Sequence, residues 1–159
     1  MLHRREIIRK FIRMRFLSPL LAAVALAACS LPRWPVNAPL TSPYGLRFLG
    51  LRPDLHHGVD ISVPIGTPVT AMKSGTVAFA GEMRGYGLVV VLRHGARVRT
   101  VYAHLSQLNV QTGQRVAGKQ VIGLSGRSGN ASGPHLHFEV QRWGHAEDPV
   151  PLLGGPPHR

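Results

Sequence analysis

The chain has a single cysteine, Cys29, so no internal disulfide can form and the folded part must be held by its core alone. Acidic residues are also scarce. Seven Asp and Glu face 19 Lys and Arg, for a formal net charge of +12. A surplus of that size draws a protein to polyanions. Aromatic residues make up only 6%, and no basic helix or basic-aromatic platform of the kind used on nucleic acid is present. Nucleic acid is therefore not an expected partner, and any carboxylate-rich polymer satisfies the charge equally well. No apolar run approaches the ~20 residues that cross a bilayer as a helix; Phe16–Ala28 is too short. Beyond it, no segment of a dozen residues keeps a 3.6-residue apolar period, which argues against a helical fold. Internal repeats and a second domain are likewise absent from the pattern.

What the sequence has is glycine (18), proline (13) and short Val-rich runs in 159 residues, enough for one domain. Pro68–Met72, Thr76–Ala80, Leu88–Arg93, Val98–His104, Gln120–Ser125 and His135–Arg142 read as strands separated by Gly, Ser or Asn turns. His94-Gly95-Ala96 reads as a hairpin turn. The fold class is all-β, a single antiparallel sheet domain over residues 42–153 with a short tail at 154–159. Arg47–Leu55, Gly81–Gly87 and Gly126–Gly133 are the candidate loops. The last is small and polar, suited either to a plain turn or to offering amides and hydroxyls to a peptide.

Residues 1–28 read as an address. Arg4, Arg5, Arg9, Lys10, Arg13 and Arg15 precede the apolar run, and Leu26-Ala27-Ala28-Cys29 ends it. This is the pattern of a secretory signal peptide, and its end resembles a bacterial lipobox, in which cleavage precedes a cysteine that then carries lipid. Lipidation at Cys29 anchors the protein to a membrane of the cell envelope; the Ser30 that follows fits the outer membrane, facing the periplasm. Residues 29–41, with Pro32, Pro35 and Pro39, read as an extended tether. The twelve residues from Ser30 to Thr41 reach at most ~40 Å.

The chemistry is concentrated in Gly133-Pro134-His135-Leu136-His137-Phe138-Glu139-Val140. Apolar and polar residues alternate, so His135, His137 and Glu139 project from one face of a strand while Leu136, Phe138 and Val140 face a core. Two imidazoles on one rigid face suit a metal or metal-assisted chemistry. Upstream, His56, Gly58 and Asp60 share a face of an extended segment, and Gly58 leaves room for close approach. An aspartate with two histidines is a three-ligand zinc set that leaves a fourth position for water. His104 ends another alternating run. For Glu139, a plain ion pair with a neighbouring strand is the commoner arrangement and an orienting contact to a histidine the alternative. Tyr44 and Tyr86 suit either a groove wall or aromatic packing. His57, His94, His145, His158 and His3 have no such spacing and read as ordinary polar positions.

Three segments, His56–Asp60, Tyr102–Leu105 and Ser132–Val140, resemble the motifs of the M23 (lysostaphin/LytM-type) metallopeptidases of bacterial cell walls. Ser42-Pro43-Tyr44-Gly45-Leu46-Arg47, Gly66-Thr67-Pro68-Val69, Gly85-Tyr86-Gly87, Gly113-Gln114-Arg115-Val116, Gln120-Val121-Ile122-Gly123 and Asp148–Leu152 fit the same framework, in order. The resemblance covers about Pro39 to Leu153. It implies a groove across a sheet with zinc on its floor, held by His56, Asp60 and His137. It also implies catalytic roles for His135, as general base, and His104, holding the water or the developing oxyanion, with those two roles open to exchange. The implied activity is hydrolysis of peptidoglycan stem-peptide cross-links, at a D-Ala–diamino acid bond or a glycine bridge. Some members have lost their ligands and activate wall amidases instead; here every ligand and catalytic position is occupied. An amidase or divisome partner is the corresponding alternative. No coiled coil and no LysM-like or SH3-like wall-binding segment is recognisable.

Overall fold

The structure is a computed structural model that describes residues 31–157 apart from Gly50. The segment read as a signal peptide and Cys29 lie outside the described residues. Leu31–Arg159 forms a compact unit of its own, and it contains the whole described core.

Alternating Val, Leu and Ile runs form strands because one face of each is buried. In chain order they are β1 (Leu40–Ser42), β2 (Gly45–Leu49), β3 (Arg52–His56), β4 (Val59–Ile61), β5 (Pro68–Thr70), β6 (Gly75–Met83), β7 (Gly87–His94), β8 (Val98–Leu108), β9 (Arg115–Val116), β10 (Val121–Ser125), β11 (Leu136–Arg142) and β12 (His145–Glu147), followed by the one-turn helix α1 (Pro149–Leu152). The main sheet runs β1-β4-β11-β8-β7-β6-β9, with β12 on β11, and with β10 joining β8 to β5. Every pairing is antiparallel. The all-β antiparallel fold is thus as the sequence indicates, and each of the six strands read there is present.

Two stretches read as loops are largely strand. Arg47–Leu55 belongs to the β2–β3 hairpin, and Gly81–Gly87 shrinks to a tight link between β6 and β7. The hairpin leaves no periodic signal in the sequence because it buries no apolar face: Leu46, Phe48 and Leu55 are exposed. Alternation cannot mark a strand that packs on nothing.

One sheet face, with Leu136, Phe138, Tyr102, Val90, Leu92 and Val77, forms the main core with Val69 and Ile122 from the β5–β10 layer beneath. On the opposite face Val89, Val101 and Ala103 pack with Phe79, Tyr86 and Val91. Strand β8 serves both layers because it turns at His104, whose φ of 59° is left-handed; before that point it pairs with β7 and β11, and after it with β10, Leu105 still lying opposite Leu88 as well.

The segment expected to be an extended tether is mostly part of the domain. Arg33 N donates to Met72 O (3.0 Å), Thr70 N to Pro35 O (3.0 Å), and the Trp34 indole to Gly155 O (2.9 Å). Trp34 packs on Phe138, and Pro35 and Val36 are buried. Burial of Trp and Val outweighs the extended preference of the prolines. The residues left between Cys29 and this clamp reach ~10 Å at most, rather than ~40 Å.

Candidate metal centre

The register of β4 on β11 builds the site. Asp60 lies opposite His137, so two polar groups 77 positions apart meet on one face. Gly58 permits that closeness: a Cβ there would sit 2.4 Å from Phe138 O and 2.9 Å from Glu139 Cγ. His56, at the end of β3, brings the third group over the same point. His56 Nε2, Asp60 Oδ1 and His137 Nδ1 all lie within 4.8 Å of one another. The individual separations are 3.2 Å (His56–Asp60), 2.9 Å (His137–Asp60) and 3.1 Å (His56–His137).

The remaining atoms of these side chains are committed elsewhere. His56 Nδ1 donates to Pro43 O (2.7 Å), and His137 Nε2 donates to Glu139 Oε1 (3.0 Å). Asp60 Oδ2 accepts from Arg47 Nη1 (3.2 Å), which also reaches Ser42, while Arg47 Nε is paired with Asp54 (2.7 Å). With their N–H groups spent, two imidazole lone pairs and a carboxylate oxygen face each other at hydrogen-bond distance. Three acceptors so arranged require a cation or a proton between them. Tetrahedral zinc, with bonds of ~2.0–2.2 Å, sets neighbouring ligand atoms roughly 3.3 Å apart, close to the separations found. The donor set fits zinc.

The electrostatics say the same. Burial opposes charge on Asp60, but hydrogen bonds from His137 and His56 outweigh it and hold the carboxyl far below the usual range. Burial lowers His137, yet Asp60 and Glu139 on its two nitrogens raise it to about 9. Without a metal, a proton takes the central position.

Glu139 is the orienting group, not half of an ion pair with a neighbouring strand. It is 1% exposed and accepts from His137 Nε2, from Tyr86 Oη (2.8 Å) and from Gln141 Nε2 (2.7 Å). Burial would raise its pKa, but those three donors lower it, so it remains an anion. Burial and the Glu139 charge together push Tyr86 far up, which keeps its phenol a donor. A carboxylate behind a ligating histidine sets its tautomer and ring plane.

His104 and His135 flank this cluster. Their ring centroids are 4.7 Å apart, and His104 stands 5.9 Å from His137. His104 Nδ1 donates to Ser128 O (2.8 Å) and His135 Nδ1 to Gly133 O (2.8 Å), so in each Nε2 is the free nitrogen. His135 Nε2 is 3.7 Å from Asp60 Oδ1. Burial holds His104 neutral, the Ser128 contact only partly offsetting it. Its left-handed backbone is a local strain of the kind concentrated at functional sites.

These groups line a cavity of about 610 Å³. One wall is the Gly126–Gly133 loop, which is pinned: Ser128 Oγ accepts from Leu88 N and donates to Leu105 O, and Asn130 N donates to Gly85 O. At Gly129 (φ 69°) a Cβ would meet Gly87 N at 2.4 Å, so the two loops interlock only without side chains.

The five residues expected in the site are therefore together. Tyr86 joins them, whereas Tyr44 donates to Ala146 O and only packs. Among the other histidines, His57 is exposed at the cavity rim and His145 is exposed; His94 sits at the far end of β7, bonded to Ser74 and Thr100. His3 and His158 lie outside the described residues. Arg47 was not foreseen as a site residue. It lies within a segment that fits the family framework, but nothing in its spacing shows that the β2–β3 hairpin returns it to Asp60.

Comparison with known proteins places the chain in a family. The profile described as peptidase family M23 matches residues 54–149. DD-carboxypeptidase/endopeptidase Mpg of Neisseria meningitidis serogroup B is 42% identical over 113 residues, 70% of this chain and 26% of that protein. The murein hydrolase activator EnvC of Escherichia coli is 39% identical over 122 residues, 76% of this chain and 28% of that protein. The chain thus spans about a quarter of either relative. Among solved structures, the catalytic domain of the antimicrobial peptidase lysostaphin from Staphylococcus simulans superposes with a TM-score of 0.70 at 38% identity, covering 75% of this chain and 94% of that one. A zinc-containing peptidase from Vibrio cholerae gives 0.71 at 32% identity, covering 78% and 39%.

Proposed function

The chain belongs to peptidase family M23, and on that premise we propose that it is a zinc-dependent endopeptidase cutting peptide cross-links of bacterial peptidoglycan. The observation that carries this is the conjunction of three metal-donor atoms within 4.8 Å with two further imidazoles whose free Nε2 atoms border the same cavity. A scaffold that only bound a partner would have no use for His104 and His135, which are outside the donor set.

His56, Asp60 and His137 would hold the metal. Zinc in such a site supplies Lewis-acid polarisation of the scissile carbonyl and a nucleophile active near neutral pH. Arg47 and Glu139 orient the donors, and Gly58 admits the strand that carries them. The sequence favours His135 as general base with exchange open; both imidazoles spend Nδ1 on a backbone carbonyl, and it is the burial that lowers the pKa of His104 that favours exchange. His104 is neutral with its Nδ1 proton spent on Ser128 O, so its Nε2 accepts a proton from the attacking water. His135, when protonated at Nε2, donates to the developing oxyanion or the leaving amine.

The name of Mpg, a DD-carboxypeptidase/endopeptidase, favours a cross-link at D-alanine over a glycine bridge. Lipidation at Cys29 and an outer-membrane location facing the periplasm belong to the same proposal. The similarity to EnvC supports a second reading, a regulator of wall amidases. Digestion of purified peptidoglycan by the zinc-loaded protein, with products identified by mass, separates them. New free D-alanyl termini are expected. No cleavage, together with stimulation of an amidase, would establish the regulator instead.

A further inference from the structure

The catalytic cavity occupies one end of the sheet. His137 is at the start of β11, and Arg142 at its end lies ~17 Å away along the strand. The opposite end gathers the basic residues. Arg115 pairs with Thr76, Thr76 with Arg93, and Arg93 with Arg99, so three arginines line adjacent strand ends. Arg97 is in the neighbouring β7–β8 turn. Lys73 follows Met72, and Lys119 N donates to Ala71 O, which brings both lysines to the same end. Arg93, Arg97, Arg99, Arg115 and Lys119 are all exposed. The acids nearby are engaged: Glu147 lies 3.6 Å from Arg142, and Asp148 caps α1 at Val150 N. Asp54, Asp60, Glu139 and Glu82 are at the cavity end.

Two further observations fall on this end. Trp143 is 62% exposed and has a φ of 56°, and Gly144 follows at 84°, in the two-residue turn between β11 and β12. Such turns favour Asn, Asp or Gly at both positions; a tryptophan there is strained and is displayed to solvent. The Arg97 guanidinium lies 4.0 Å from its ring centroid. An exposed tryptophan beside arginine is the pairing found where proteins meet lipid headgroups. The second observation is the course of the N-terminal segment. It runs antiparallel to β5 from Pro35 at Thr70 to Arg33 at Met72, so Leu31 and Arg33, both exposed, leave the domain beside Lys73 and Lys119.

We propose that this end of the sheet is a docking face for a bilayer surface rich in anionic lipid headgroups, with Trp143 and Arg97 at headgroup depth and the surrounding bases against phosphates. The cavity then faces away from the membrane, toward the wall. That orientation rests on the reading of Cys29 as the lipid attachment; the surface recognition does not.

The test uses the protein from Ser30 onward, unlipidated, since the core lies wholly in Leu31–Arg159. It should sediment with phosphatidylcholine vesicles containing phosphatidylglycerol, release at high salt, and ignore pure phosphatidylcholine. Arg93→Gln, Arg97→Gln and Lys119→Gln combined should weaken binding on the order of 10²-fold, about five-fold per charge, with zinc content unchanged. Vesicles should blue-shift the tryptophan emission, and Trp143→Phe should abolish that shift, because Trp34 is held within the clamp. Unchanged vesicle binding by the triple variant, or equal binding to neutral vesicles, overturns the proposal. So does tighter binding to duplex DNA with the same sensitivity to the three substitutions, which assigns the face to nucleic acid. Failure of the peptidase reading would leave the vesicle results as they are, and absence of lipid on Cys29 would remove only the orientation.

Discussion

At the scale of the residue, the cluster separates holding a metal from moving a proton, and substitutions should separate them too. His137→Ala removes one of three donors and should strip zinc from the purified protein, read by metal analysis. Full zinc retention would remove His137 from the donor set. His104→Ala and His135→Ala should instead keep zinc and lower wall hydrolysis roughly 10²-fold or more each; unchanged turnover in both would remove them from the mechanism. Glu139 acts one step further out. Glu139→Gln keeps the shape but loses the charge behind His137, and zinc affinity should fall about 10- to 100-fold. Tyr86→Phe leaves the carboxylate in place and should have the smaller effect. Equal affinity in Glu139→Gln and the parent would show that the His137 ring is held by packing alone.

At the scale of the element, the site depends on how closely β4 lies on β11. Gly58→Ala places a carbon 2.4 Å from the backbone oxygen of Phe138, which no rotamer relieves, so the strands must part. Destabilisation of about 1–3 kcal/mol is expected from such overpacking, with a loss of zinc affinity beyond what the lower melting temperature explains, because Asp60 moves with β4. A Gly58→Ala protein with parental zinc affinity would show that β4 and β11 tolerate separation. At the other end of the sheet, Met72 N, Tyr102, Thr100, His94 and Ser74 form a chain of hydrogen bonds. Burial lowers the pKa of His94 below its ordinary 6.5, with the Ser74 contact only partly opposing. The unfolded chain thus takes up this proton at a higher pH than the native one. Stability from this residue is complete above about 6.5 and falls as pH drops below it. Urea unfolding across that range should show a shallower acid loss for His94→Gln than for the parent; parallel curves would place the sensitivity elsewhere.

At the scale of the whole molecule, the clamp of Trp34, Pro35 and Val36 takes most of the stretch read as a tether into the domain. If Cys29 carries lipid, the mature protein should fractionate with membranes and Cys29→Ser should block attachment and processing. The physical basis is burial of more than one acyl chain at ~0.8 kcal/mol per CH₂. A wholly soluble mature protein with its N-terminus elsewhere would refute the anchor. Flexible residues inserted between Cys29 and Arg33 should change activity on intact walls and leave activity on soluble fragments unaltered, since only the former depends on reach. Equal responses would mean that the tether does not govern access to substrate.

The sequence by itself carried the strand alternation of the six long runs, the all-β class and the five site residues. These are legible because period-two burial and paired polar positions are local: His135 and His137 share a face whatever the rest of the chain does. It also exposed Gly58 as a place of close approach. The identity of the group that approaches, Phe138 O and Glu139, needed the β4–β11 register. Tertiary structure alone decided that Arg47 returns to Asp60, that Glu139 bonds His137 rather than pairing across strands, that burial lowers the pKa of His104, and that a Pro-rich stretch is clamped instead of free. Each depends on partners far away in the chain, and the energy that selects them is burial and hydrogen bonding between segments, which no local pattern of residues encodes.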